Sequence, residues 1–239
     1  MANILICGDS WGCGEWDIAC TKVAHTGLQQ YLVDDGHTVF NISKGGTSNL
    51  DNSNRLNLWF ERFGSQHIET VLVFQTDYVR DFKHHASPED WNSQLLSDVA
   101  ERWVERFYHR LSELSQKHGC KIKIIGGLSD TVWFDQMSLD YPGCEVACQS
   151  LVNLTLANNH RIDVPVFSWY TADSEPMLAR AKSLGLELDC TLKLMHQGFE
   201  RESLVRENPE FFYPDGIHPN RQTHRILYEF LRHKSIIPN

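Results

Sequence analysis

Five short apolar runs along the chain have the length and boundaries of buried β-strands. Each run is four or five residues long and contains branched aliphatic side chains, and the first and fourth runs are followed directly by a glycine. Such short, bounded runs are typical of strands that are covered on both faces. The predicted strands are 4–7, 38–42, 71–74, 122–125 and 164–167.

Apolar residues between these runs recur at roughly helical spacing. The longest such stretch, 89–118, places Leu95, Val99, Trp103 and Phe107 on one stripe, as in an amphipathic helix. The predicted helices are 18–32, 56–63, 89–118 and 220–232. Short strands that alternate with helices form β-α-β units, which predicts a parallel sheet with helices on both faces.

The stretch 129–163 has no clear periodicity, and we interpret it as an insertion with one helix. The chain shows no internal repeat and no low-complexity linker. We therefore expect a single domain that spans residues 1–239.

Composition excludes several classes of function. The chain has 239 residues, 41% of them hydrophobic, and a net charge of −9, so it can bury a substantial core. An acidic surface without a run of Lys or Arg repels phosphate backbones, which argues against a nucleic-acid partner. No stretch approaches the ~18 consecutive apolar residues that a membrane span needs.

The N-terminal residues and the cysteines predict a cytoplasmic protein. The chain begins without a basic leader or a long apolar segment. Its seven cysteines form no C-x-x-C pair, although Cys144 and Cys148 could share a helix face; reduced, mostly buried thiols are the simpler interpretation. Its twelve histidines are scattered, so we expect neither a metal site nor any other cofactor.

Functional groups of a parallel α/β sheet gather in the loops that follow the strands. These loops are 8–12, 43–49 and 75–81, and a fourth candidate segment, 213–220, precedes the last helix. The candidate chemistry is therefore confined to a small part of the chain.

Three residues in these loops could form a hydrolytic triad. Asp215 and His218 are three positions apart in a turn made by prolines and a glycine, so the carboxylate can reach the Nδ1–H of the imidazole and leave Nε2 free as a base. Ser10 lies on a tight turn that leads into a helix, where its hydroxyl can be exposed. Alone, a serine after a strand is usually just a helix N-cap, and His218 alone fits an ordinary turn residue better than a base.

Taken together, these segments resemble the SGNH hydrolases, also called the GDSL esterase/lipase superfamily. Gly8-Asp9-Ser10 stands at one end of the resemblance and Asp215-Gly216-Ile217-His218 at the other, so that it spans nearly the whole chain. It implies a three-layer α/β/α, flavodoxin-like fold with a five-stranded parallel sheet. It also implies that Ser10 is the nucleophile, His218 the general base and Asp215 the residue that orients His218.

The resemblance extends to the loop after the second strand. Residues 41–48 match the block in which a glycine N–H enters the oxyanion hole beside the N–H of the nucleophile, and Gly46 is the best fit to that glycine. Asn49 is a neighbour that could contact the substrate.

The loop after the third strand departs from the family pattern. The family has Gly-x-Asn there, and the asparagine donates to the oxyanion, whereas Asp77 occupies the matching position in this chain. An ionised carboxylate cannot donate a hydrogen bond. Either Asp77 is protonated, or Gln75 or Thr76 supplies the donor, or Arg80 neutralises the site, or the protein is slow or inactive.

Two further residues near the site have more than one interpretation. Trp11 could line a substrate pocket or pack against a helix, and Arg80 could contact the substrate or form a surface ion pair with Asp81.

Other motifs are incomplete. Residues 8–12 also fit G-x-S-x-G, but too few residues precede Ser10 for the fold that carries that elbow. Gly12-Cys13-Gly14 lacks the third glycine of a dinucleotide-binding turn.

The resemblance implies a serine esterase that needs no cofactor. We expect a small-molecule or carbohydrate ester with a short acyl group, such as acetyl, as its substrate, because the chain has no extended apolar lid segment. The alternative is a catalytically weak or inactive module of this fold that binds a glycan or a protein partner.

Overall fold

The strands that the structure describes form one parallel sheet and one small hairpin. A computed structural model describes residues 1–65, 67–76, 80–81, 96–127, 131, 140–157, 206–212 and 218–237. Within these ranges the sheet contains β1 (Asn3–Cys7), β4 (Thr38–Asn41), β5 (Thr70–Gln75), β6 (Lys121–Gly126) and β7 (Cys144–Cys148), and the hairpin contains β2 (Glu15–Trp16) and β3 (Val23–His25).

The order of the strands places β1 between β4 and β5. The sheet reads β4-β1-β5-β6-β7, and every neighbouring pair is parallel. Counting only the sheet strands, this is the order 2-1-3-4-5 of the flavodoxin-like arrangement, in which ligands bind beyond the carboxyl ends of the first and third strands. The loops after β1 and β5 therefore meet at the place where a site is expected.

Helices cover both faces of the sheet. They are α1 (Ser10–Cys13), α2 (Leu28–Asp34), α3 (Asn49–Phe63), α4 (Leu96–His118), α5 (Leu151–Ala157), α6 (Pro209–Phe212) and α7 (Arg221–His233).

The alternation of side chains along the strands creates two apolar cores. In β1, Leu5 and Cys7 point to a cluster that contains residues of α3 and α4, while Ile4 and Ile6 point to a cluster that contains residues of α2, α5 and α7. Strand side chains alternate between faces with a period of two residues, so both faces of β1 are buried. The result is a three-layer α/β/α architecture, which confirms the predicted fold class.

The helix predicted over 18–32 is wrong in its first half. The β2–β3 hairpin occupies that stretch, and α2 begins only at Leu28. Asp17 explains the difference, because its carboxylate accepts hydrogen bonds from the N–H of Thr21 and Lys22 and from the Thr21 hydroxyl. Such side-chain bonds to nearby backbone compete with helix formation and favour a turn.

The fifth strand of the described sheet is Cys144–Cys148, inside the stretch that we interpreted as an irregular insertion. The two cysteines lie on a strand and not on a helix. Apart from Val146 the segment contains no strongly apolar residue, and its Glu145 is exposed, so periodicity gave little signal. The strand predicted at 164–167 lies outside the described residues.

The turn after β1 depends on a close approach between strands. A Cβ atom added at Gly8 would lie 2.6 Å from the Cβ of Phe74 in β5. Any larger residue would push the end of β1 away from β5, so the glycine allows the loop after β1 to sit directly beside the loop after β5.

Buried side chains connect the loop after β4 (residues 43–49, the second loop) with the loop after β5 (residues 75–81, the third loop). Asn49, fully buried at the start of α3, donates to the Thr76 carbonyl (2.9 Å) and to the Asp81 carboxylate (2.9 Å), and accepts from the Thr76 N–H (2.8 Å). Asp81 also accepts from the Leu50 N–H at 2.7 Å. All the polar groups of the Asn49 side chain are therefore engaged within the protein.

Three further features of the described residues are the state of the cysteines, the character of the helices and the grouping of possible metal ligands. The six cysteines within the described ranges are free thiols. Among the helices that the structure describes, none combines the length and the apolar character that a bilayer crossing requires. No three His, Cys, Asp or Glu side chains in the described part of the chain come together as a metal site would need.

His224 should make the stability of the fold depend on pH. Burial lowers the pKa of this fully buried histidine from 6.5 to about 4, so the unfolded chain binds its proton more tightly than the folded chain. The free energy of unfolding should therefore rise by about 3 kcal/mol between pH 4 and pH 6.5 on account of this group. Urea unfolding across that range should show a smaller rise in His224→Phe than in the wild type. The same substitution at the exposed His233 should leave the rise unchanged, and equal slopes in all three proteins would contradict this assignment.

Asn49→Asp should destabilise the protein while nearly preserving the shape of the side chain. The change places a carboxylate against the Asp81 carboxylate and the Thr76 carbonyl, which should lower the free energy of unfolding by about 3 kcal/mol at pH 8. Burial raises the pKa of Asp81 to about 7, so the loss should be smaller at pH 5.5, where Asp81 is neutral. Asn54→Asp, at an exposed position of the same helix, is the control for urea unfolding at both pH values. A loss of the same size in both variants would show that the buried network is not the cause.

Candidate active site

Ser10 is the first residue of the short helix α1, directly after the turn that ends β1. Asp9 caps this helix, because its carboxylate accepts the N–H of Trp11 at 3.0 Å. A side-chain cap satisfies a backbone donor that the first turn of a helix leaves free. Asp9 therefore shapes the turn, and Ser10 is presented at its tip, largely buried.

The structure brings His218 onto Ser10. The imidazole Nε2 lies 2.8 Å from the Ser10 hydroxyl oxygen, although the two residues are 208 positions apart. His218 lies just before α7, which begins after the N-cap Asn220. The chain segments that flank the first strand and the last helix thus meet beyond the carboxyl end of β1.

An ion pair fixes the segment that carries His218. Glu15 accepts hydrogen bonds from the backbone N–H of Arg221 (2.7 Å) and from two of its guanidinium nitrogens (3.0 and 2.7 Å). The hydrogen bonds and charge of Arg221 lower the pKa of the Glu15 carboxyl. The Tyr31 hydroxyl donates to the Arg221 carbonyl at 2.9 Å, so the start of α7 is held from two sides.

The Nδ1 side of His218 faces Cys20. The thiol sulfur lies 3.6 Å from Nδ1, and Cys20 has a φ of 55°, a value that residues with a side chain rarely adopt. The sequence pattern did not indicate this contact. Asp215, predicted to orient His218, lies outside the described residues.

Trp16 is a second site residue that sequence reasoning missed. Its indole N–H donates to the Ser10 carbonyl at 2.9 Å, and its ring centroid lies 5.7 Å from that of His218. The sequence offered only one signal for Trp16, namely that it lies six residues after Ser10.

The second loop packs against the serine through Gly45. A Cβ atom at Gly45 would lie 3.8 Å from the Ser10 Cβ. Gly46 is exposed and has a φ of 75°, a conformation that favours glycine. Asn41 supports the loop, because its side chain donates to the Gly12 carbonyl and accepts from the Ser43 N–H.

Two of the residues predicted as sources of an oxyanion donor, Gln75 and Thr76, make internal hydrogen bonds. The carboxamide oxygen of buried Gln75 accepts the Tyr108 hydroxyl, and the Thr76 N–H donates to Asn49. Asn49 itself is fully buried, so it holds this loop and does not face a substrate. Asp77 lies outside the described residues.

Arg80 and Asp81 do not form the surface ion pair considered from the sequence. The Arg80 guanidinium lies 3.4 Å from the Asp9 carboxylate, which caps the helix of Ser10. Asp81 is fully buried and bonded to residues of α3. Arg80 therefore places a positive charge beside Asp9, the residue that precedes the candidate nucleophile Ser10.

Trp11 packs in the core, which favours the helix-packing interpretation over the pocket-lining one. Only 3% of its surface is exposed, and its ring packs 6.1 Å from that of Phe212. Trp16 also contacts the candidate nucleophile, through the Ser10 carbonyl.

The described geometry suits nucleophilic chemistry. A hydroxyl within 2.8 Å of an imidazole nitrogen can be deprotonated as it attacks an electrophilic carbon. Peptide N–H groups of the neighbouring loops are the kind of donor that stabilises an oxyanion.

Comparison with solved structures identifies the fold. An esterase from Pseudoalteromonas sp. matches at 12% identity over 100% of both chains with a TM-score of 0.51. A lipase from a goat rumen metagenome matches at 11% identity over 98% of this chain and 97% of the other, with a TM-score of 0.50. No protein-family model and no curated protein match the chain. The strand order, the three layers and these two structures together show that the chain has the three-layer α/β/α fold of this esterase and this lipase.

Proposed function

We propose that this protein is a serine esterase that hydrolyses a short acyl ester through an acyl-enzyme. The observation that carries the proposal is the 2.8 Å contact between the Ser10 hydroxyl and His218 Nε2. The fold supports the proposal, because the two similar structures are those of an esterase and a lipase. An acetyl group on a carbohydrate is the substrate class that we favour.

The reaction would proceed in two halves. Ser10 Oγ attacks the ester carbonyl carbon while His218 Nε2 takes the hydroxyl proton, and the carbonyl oxygen becomes an oxyanion. As the tetrahedral intermediate collapses, His218 gives that proton to the departing alcohol, and the acyl group stays on Ser10. Water then attacks the acyl carbon with His218 as base, and the acid leaves as Ser10 recovers its proton.

Two groups complete this proposed machinery. Asp215 would accept the Nδ1–H of His218 and stabilise the imidazolium. The N–H groups of Ser10 and Gly46 would hold the oxyanion. The packing of Gly45 against Ser10 supports this role for the second loop.

A slow or inactive protein would differ from an efficient esterase in whether a third hydrogen-bond donor reaches the oxyanion. The engagement of the Thr76 N–H by Asn49 removes one donor from that role and favours the second candidate, a catalytically weak or inactive module that binds a glycan or a protein partner. The pairing of Arg80 with Asp9 favours an active site, because it offsets a negative charge beside the developing oxyanion.

Labelling at Ser10 separates the two candidates. The Pseudoalteromonas esterase is inhibited by monoethylphosphonate, and a fluorophosphonate probe should likewise phosphonylate Ser10 of this protein. Ser10→Ala should abolish labelling and the hydrolysis of p-nitrophenyl acetate, and His218→Ala should reduce both by about 10⁴-fold or more. Peptide mass spectrometry would locate the label.

Ser65→Ala serves as the control for this experiment. Ser65 donates to the His118 carbonyl and precedes β5, at the opposite end of the sheet, so its loss should change neither readout. A wild type that is neither labelled nor active would favour the binding module. Hydrolysis that increases from the acetate to the decanoate ester would contradict the short acyl preference alone.

Asp77→Asn should raise the esterase rate. The change replaces a carboxylate by an amide that can donate to the oxyanion, and one such donor is worth about 10²-fold in kcat or more. We expect kcat for p-nitrophenyl acetate to rise by about tenfold to 10²-fold. Asp34→Asn, an exposed change in α2, controls for the altered net charge. An equal or lower kcat in Asp77→Asn would show that Asp77 does not oppose catalysis.

A further inference from the structure

One side chain, Trp16, contacts three segments of the candidate active site: the loop after β1, the loop after β4 and the segment before α7. Its indole N–H donates to the Ser10 carbonyl at 2.9 Å. Its ring lies 5.7 Å, centroid to centroid, from the His218 ring at an angle of 38°. The far edge of the same ring lies so close to Gly45 that a Cβ atom there would be 3.2 Å away.

The backbone of Trp16 is fixed independently of these contacts. It lies in β2, where it pairs with Val23 of β3, and the neighbouring Glu15 pairs with His25. The same Glu15 binds the backbone and side chain of Arg221, 206 positions away. The strand that presents the indole is therefore connected directly to the helix that follows His218.

Each contact restricts a group that the proposed reaction needs in one geometry. Because α1 is only four residues long, its helical hydrogen bonds hold Ser10 weakly, and the indole N–H adds a fixed partner for the carbonyl of that residue. An imidazole on a loop can rotate about its side-chain bonds, and the indole face limits that rotation on one side. The thiol of Cys20, 3.6 Å from Nδ1, lies at the edge of the same imidazole ring.

We propose that Trp16 is a positioning residue. It holds the Ser10 hydroxyl, the His218 imidazole and the second loop in fixed positions relative to one another. The inference rests on the proposed esterase function and adds a residue to it. A displacement of about 1 Å in such a constellation costs about 10²-fold in rate. Trp16 acts through Ser10 and His218 and has no chemical step of its own.

Two substitutions separate the N–H of Trp16 from its ring. Trp16→Phe removes the donor to Ser10 but keeps an aromatic face, and kcat for p-nitrophenyl acetate should fall about tenfold. Trp16→Leu removes both, and kcat should fall about 10²-fold. KM should stay within about twofold in both variants, and the rate constant of fluorophosphonate labelling should fall in parallel with kcat.

Trp59 provides the matched control. It is also half-buried, but it lies in α3 against Phe40, Phe60 and Phe63. Trp59→Phe and Trp59→Leu should lower Tm to a similar extent without changing kcat. A merely structural Trp16 would behave like Trp59, with loss of Tm and an unchanged kcat in the folded fraction.

The contact with Gly45 gives a second, independent test. Gly45→Ala should lower kcat about tenfold, because the new methyl group displaces the Trp16 ring by a few tenths of an ångström and with it the contacts to Ser10 and His218. In the Trp16→Phe background the same change should cost less than about twofold, since the shorter ring does not reach that position. Additive losses would show that the two residues do not act together.

The failure of this inference is distinguishable from the failure of the proposed function. If the wild type is labelled at Ser10 and hydrolyses the ester but Trp16→Leu has the same kcat, the positioning role is overturned and the esterase stands. If the wild type is neither labelled nor active, both are overturned. Parallel losses of kcat and of labelling rate at unchanged KM, with Trp59 variants unaffected, support the role of Trp16.

Discussion

The ion pair between Glu15 and Arg221 is the constraint on which the rest of the site depends. Glu15 is only 7% exposed and accepts three hydrogen bonds from one residue, so its charge is compensated where water cannot do so. One of the donors is a backbone N–H at the first residue of α7, where the helix dipole also favours an anion. Removing Arg221 would leave the buried Glu15 charge unpaired, and removing either partner would release the segment that carries His218.

This constraint operates on a frame that the sheet provides. Because β1 lies between β4 and β5, the loops that follow these strands emerge side by side at the carboxyl edge. Gly8 permits the close approach of β1 to β5, and Asn49 connects the second loop to the third. The hairpin and the start of α7 then add His218 from the far end of the chain. The distance between Ser10 and His218 is thus determined by contacts in several different segments of the chain.

The sequence predicts the parts of this arrangement that leave a periodic or a motif signal. Four strands were visible as bounded apolar runs, and Ser10 and His218 were visible because their motifs resemble a known family. The β2–β3 hairpin was not visible, since its apolar residues also fit a helix and the turn is decided by the polar side chain of Asp17. Trp16 was missed for a related reason: a single aromatic residue shows no pattern, and its role comes from tertiary contacts.

Two carboxyls on the loops around Ser10, those of Asp9 and Asp81, are offset by a cation or by burial. Asp9 is next to Ser10 in sequence, and its carboxylate is met by Arg80 at 3.4 Å. Burial raises the pKa of Asp81 to about 7 despite the hydrogen bonds from Asn49 and Leu50, which lower it; at mildly acidic pH this carboxyl is therefore neutral. Asn49 fixes the backbone of Thr76, the residue directly after β5, through two hydrogen bonds, so this part of the framework beside the site is held by an uncharged side chain.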